Sequence, residues 1–85
     1  MSAFPVEIRY IEWLDSLSGT GWTSEANVLA EVVSRCYSAG FVLKETNDAI
    51  TLVQSIDPEG KNVDNYLVIP KFAIVHEATV RKARA

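Results

Sequence analysis

Cys36 and His76 are the chain's single thiol and single imidazole, the raw materials for a nucleophile and its base. Such a pair needs a third group to orient the base, and no residue stands at a spacing that supplies one. One Cys and one His also fall short of the ligands of a zinc site, and a single Cys forms no internal disulfide. The expectation is no enzyme: no catalytic residue, no metal and no cofactor. Cys36 reads as a small buried hydrophobe and His76 as a surface or interface residue of a strand. Residues 57–65 are rich in oxygen ligands, but an EF-hand loop needs a ligand at its fifth position and Gly at its sixth. Here Lys61 holds the fifth position and Gly60 the fourth, so a solvated loop is expected. No Gly-x-x-x-x-Gly-Lys phosphate loop occurs.

What remains is basic and aromatic. Lys71, Arg81 and Lys82 could meet phosphate, and Trp22 and Tyr66, with Tyr37, could stack on bases. These are the candidate contacts for a nucleic acid or nucleotide. Strand alternation places Arg81 and Lys82 on opposite faces, so one chain carries no basic stripe and the cluster reads first as a solubilising tail. In a ring, copies from every subunit would gather and weak contacts would multiply. Trp22, beside Gly19 and Gly21, is expected to pin its loop onto the core.

Charge weighs against nucleic acid. The net charge is −3, but residues 1–70 hold four bases against ten acids, while residues 71–85 hold four bases against one acid. An acidic body repels phosphate, whose neutralisation supplies most nucleic-acid affinity. No apolar run nears the roughly 20 residues of a membrane helix. The start lacks the basic and apolar regions of a signal peptide. A soluble, cytoplasmic protein without a membrane partner is the expectation.

The elements that must carry these residues are mostly strands. Val6 to Trp13 alternates, with Ile11 and Trp13 on the face of Glu7 and Arg9. Residues 15–23 form a breaker-rich loop. Residues 24–36 read either way: Ser24 can cap a helix, whereas Val32, Val33 and Tyr37 lean towards strand. A short helical turn near 24–31 and a strand from about Val32 are expected. Gly40 marks a bulge or sharp bend within that strand. Residues 46–48 form a turn, 49–56 a strand, 57–65 a long polar loop and 66–69 a strand. Pairing is expected to stop at Pro70, which has no N–H. Residues 70–73 suit one 3₁₀ turn and 74–81 a last strand.

This layout, with Asn65-Tyr66-Leu67-Val68-Ile69-Pro70-Lys71-Phe72-Ala73-Ile74-Val75 as its second half, resembles the Sm-like barrels of the SH3-like class. Trp13-Leu14-Asp15-Ser16, Gly21-Trp22, Gly40-Phe41, Glu45, Asp48-Ala49-Ile50 and Ile69-Pro70-Lys71 together also resemble small tailed-phage proteins. The resemblance covers most of residues 6–82. It implies an all-β, five-stranded, strongly bent small barrel, one domain over residues 1–85, and cyclic assembly by pairing of neighbouring edges. RNA-binding Sm proteins carry Arg-Gly or Lys-Gly in the turn before the last strand, where this chain has Pro70-Lys71-Phe72.

Size points the same way. An 85-residue chain buries only roughly 60% of its unfolded surface, so small domains lean on disulfides, metals or partner subunits. With 48% hydrophobic residues, this one has apolar surface for both a core and an interface. The first expectation is therefore a phage-type homo-oligomeric structural or interaction module, joined through edge strands. The alternatives are an RNA or single-stranded nucleic-acid binder, and a small-nucleotide-binding phage counter-defence protein.

Overall fold

A computed structural model describes residues 6–83. Five strands, β1 (Ile8–Asp15), β2 (Ser34–Glu45), β3 (Ala49–Ile56), β4 (Val63–Pro70) and β5 (Ile74–Arg81), form one antiparallel sheet in the order β4-β3-β2-β1-β5. A short helix α1 (Glu25–Leu29) precedes β2, and one 3₁₀ turn (Lys71–Ala73) joins β4 to β5. The architecture is small, five-stranded and all-β. Among the described residues, no helix is long and apolar enough to cross a membrane.

The main buried cluster lies on one face of the sheet, and Val53, next to Leu52 and 1% exposed, is buried outside it. Ile11, Trp13, Ile50, Leu52, Ile69 and Ala73 form that cluster, with half-buried Cys36, Val42 and Ile74 packed around it. Ile11, Ile50 and Ile69 are each 0% exposed, which a flat single sheet cannot achieve because one face would have no cover. The sheet covers itself: the 3₁₀ turn that follows β4 packs against β1, three strands away in the pairing order. Trp13 donates its Nε1–H to Ser38 Oγ at 3.1 Å, so its indole is buried without an unmet donor.

The bend in β2 follows from Gly40 and a bulge. A Cβ at Gly40 would sit 2.9 Å from the Val53 carbonyl oxygen, so only glycine lets β2 and β3 approach here. The ladder then shifts register between Val42 and Lys44, two residues beyond the glycine. That shift sets Glu45 opposite Ile50, on the core side.

Four local expectations are corrected. Trp22 does not pin its loop: it is 104% exposed. Its neighbours Gly19 and Gly21 leave the chain free to lead it away from the sheet. β2 begins at Ser34, and Val32 and Val33 stay outside the ladder, exposed. β4 begins at Val63, because Val63 and Asp64 pair with Ile56 and Ser55 and extend the hairpin into the polar loop. Pro70 does not stop pairing one residue early; it faces Ala49 as the last residue of β4, since an edge strand tolerates a missing N–H on its open side. Ser24 resolves the helix-or-strand ambiguity over 24–31: its side chain accepts from the Asn27 N–H at 3.1 Å and caps α1.

Candidate functional site

The inward face of β1 carries Arg9 two residues before Ile11, so its guanidinium enters the mouth of the curled sheet. Only 12% of that side chain is exposed. Glu7 takes Nε and Nη2 at 2.8 Å each. Glu45 takes Nη1 and Nη2 at 2.7 and 2.9 Å, and Glu77 takes Nη1 at 3.0 Å. Lys71 adds a contact to Glu45 at 2.5 Å, and Thr79 donates to Glu7 at 2.9 Å. One arginine thus ties β1, β2 and β5 together, and Glu45 passes the tie to the 3₁₀ turn through Lys71. The Arg9 hydrogen bonds, then that of Lys71, hold the Glu45 carboxyl down to about 2. The Arg9 hydrogen bonds also lower Glu7, against an opposing push from burial. The same carboxylates raise the Arg9 pKa.

The outward face is built around Glu12, which lies opposite both Tyr37 and His76. It accepts from Tyr10 Oη at 2.8 Å and from Arg35 Nη1 at 3.0 Å. The first contact raises the Tyr10 pKa. His76 meets Tyr10 edge-on at 6.5 Å between ring centroids. Cys36 instead lies opposite Trp13 and packs on the core side. Because Glu12 and Trp13 are consecutive, Cys36 and His76 stand on opposite faces of the sheet and form no pair. The described residues contain no group of three or more His, Cys, Asp or Glu suited to a metal.

The structure spreads the five candidate contact residues over separate elements, with only Arg81 and Lys82 adjacent in the chain. Trp22 stands in the loop after β1. Tyr66 lies mid-way along β4, and Arg81 ends β5, at the opposite edge of the sheet. Lys82 follows Arg81, exposed. Lys71 is committed to Glu45. A groove of about 500 Å³ lies between the 17–23 loop and α1, lined by Leu17, Gly19, Gly21, Asn27, Val28 and Glu31.

The feature with most surface is the pair of free edges. β4 and β5 close the sheet order at its two ends, and neither has a neighbour on its outer side. Tyr66, Val68, Val75 and Val80 are exposed along them, and Phe72 in the turn between them is 91% exposed. Among the described residues, sixteen large hydrophobic residues are exposed and seven hydrophobic ones are buried. The Arg9 cluster escaped sequence reading, yet its signal was present: an arginine in phase with Ile11 and Trp13 must find inward carboxylates. No protein-family model, no curated protein and no solved structure matches the chain.

Proposed function

We propose that this protein is a structural or interaction module that works as a homo-oligomer, in which β4 of one copy pairs with β5 of the next. The observation that carries the reading is the two open, apolar edges at opposite ends of one sheet. Open edges are templates for strand addition, and proteins that leave them bare aggregate. Pairing between unlike edges is heterologous, so the assembly closes into a ring when the rotation permits. The strand order, the 3₁₀ turn before the last strand and the Gly40 bend fit a small Sm-like barrel as the ring's building block, and the phage type rests on the sequence motifs alone. The small buried core supports the same conclusion, because the isolated chain has little else to stabilise it.

A nucleic-acid role has less to stand on. Lys71 is neutralised by Glu45, and the single chain holds Tyr66 and Arg81 on opposite edges. Pairing between copies would set the β4 edge against the next copy's β5 and so bring those two residue types together, which is the strongest physical ground for the RNA or nucleotide alternative. Size-exclusion chromatography with light scattering tests the main reading. It expects a discrete multimer at micromolar concentration, and a clean monomer refutes it. Titration with single-stranded RNA at about 50 mM salt, where electrostatic attraction is strongest, separates the alternative, since no binding there removes it.

A further inference from the structure

We propose that residues 16–33 are an exchange arm that docks on a second copy of this chain, against the basic end of that copy's β5. The inference rests on the oligomer proposed above and adds a contact that the sheet edges do not make.

Every residue from 16 to 35 is exposed, and α1 buries none of its own. The arm is nevertheless built: Ser24 caps α1, and the Ala30 N–H closes onto the Ala26 carbonyl. A five-residue helix is far below the length at which helices stand alone in water, roughly 12–15 residues. Its caps and local hydrogen bonds hold the turn, and the chain's own core gives it no cover.

The arm's chemistry fits such a seat. Leu17, Trp22, Val28, Leu29, Val32 and Val33 are between 53% and 104% exposed. At roughly 100–200 Å² each, their burial removes on the order of 700 Å² per copy, close to the ~800 Å² per partner of a stable interface. The arm's charges are Glu25 and Glu31, with no base among them. Arg81 and Lys82 are exposed and make no ion pair among the described residues.

Position favours a contact between copies. The arm springs from Asp15 and returns at Ser34, residues paired at one end of β1, while Arg81 pairs with Ile8 at the other end. Those ends lie roughly 23 Å apart along an eight-residue strand. The acidic, apolar arm and the basic strand end thus sit at opposite ends of β1 within one copy, and a neighbouring copy can bring them together without refolding the arm.

Trp22 reports the docking, because the other tryptophan, Trp13, is 8% exposed and shielded in either state. Acrylamide quenching of the wild type is compared with W22F at a concentration where native mass spectrometry gives the subunit number. Docking predicts that the Trp22 component is quenched several-fold less than a free tryptophan. It also predicts that L29S/V32S restores full quenching and raises the dissociation concentration at least tenfold. Circular dichroism should be unchanged in strand content, since the arm covers none of its own core. E25K/E31K should weaken assembly, and R81E/K82E added to it should recover part of the loss. A wild-type monomer overturns both the oligomer and the arm. A confirmed oligomer with Trp22 fully quenched, or with L29S/V32S assembling like the wild type, overturns the arm alone.

Discussion

Replacing Arg9 by methionine removes the one cation that three carboxylates share, while keeping most of the aliphatic stem. Two of the carboxylates are held by two hydrogen bonds each, at 2.7–2.9 Å, and Glu77 by one at 3.0 Å. A hydrogen bond to a charged group contributes about 1.5–3 kcal/mol when sheltered. Glu7 and Glu45 are 23% and 34% exposed, so solvent screening reduces each paired contact to about 1–2 kcal/mol. Glu77, at 37% exposure, adds at most about 0.5 kcal/mol. The expected loss for R9M is therefore about 3 kcal/mol. Urea denaturation followed by circular dichroism, at one fixed protein concentration, measures it. A cycle of R9M, E45Q and the double variant should return a coupling of about 1–2 kcal/mol. A loss below about 1 kcal/mol, or a coupling indistinguishable from zero, would refute the view that this cluster ties the sheet shut.

Acid should expose the same cluster. The Glu45 carboxyl is held at about 2 in the folded chain, against an ordinary 4.5, so its contribution is complete above pH 4.5 and fades as pH falls towards 2. Glu7 shifts in the same direction. Melts between pH 6 and 2.5 should show this decline in the wild type and a flatter one in R9M; equal slopes would contradict it. G40A forces a Cβ to within 2.9 Å of the Val53 carbonyl and should cost about 1–3 kcal/mol, read as a lower midpoint in urea. I69A opens a cavity at a fully buried position and should cost about 2–5 kcal/mol. S24A removes the cap of α1, so amide exchange should quicken at Asn27 to Ala30 while exchange in β3 stays as it was.

Much of the strand pattern was legible from alternation, although Val53, out of phase with Ile50 and Leu52, is buried as well. Ile50 and Leu52 alternate with Thr51, and the structure bounds β3 at the residues the turns on either side dictate. The last strand and its 3₁₀ turn were legible too, because Ile69-Pro70 forces an extended residue and then a break. Trp22 failed for an instructive reason. A tryptophan beside glycines normally has a core to cover, but here the loop leaves the sheet altogether. Hydrophobicity alone does not state whether a loop returns to the sheet to cover its side chains.

Residue types alone thus determined an all-β chain with a bend at a glycine, polar turns and a 3₁₀ turn before the last strand. Those properties are local, or follow from composition. Only the tertiary structure decided that β4 and β5 end on open edges, that Cys36 and His76 are separated by the thickness of the sheet, and that Arg9 gathers Glu7, Glu45 and Glu77. Each of these depends on strand order and register, which join residues as far as 72 positions apart and leave no mark in local spacing.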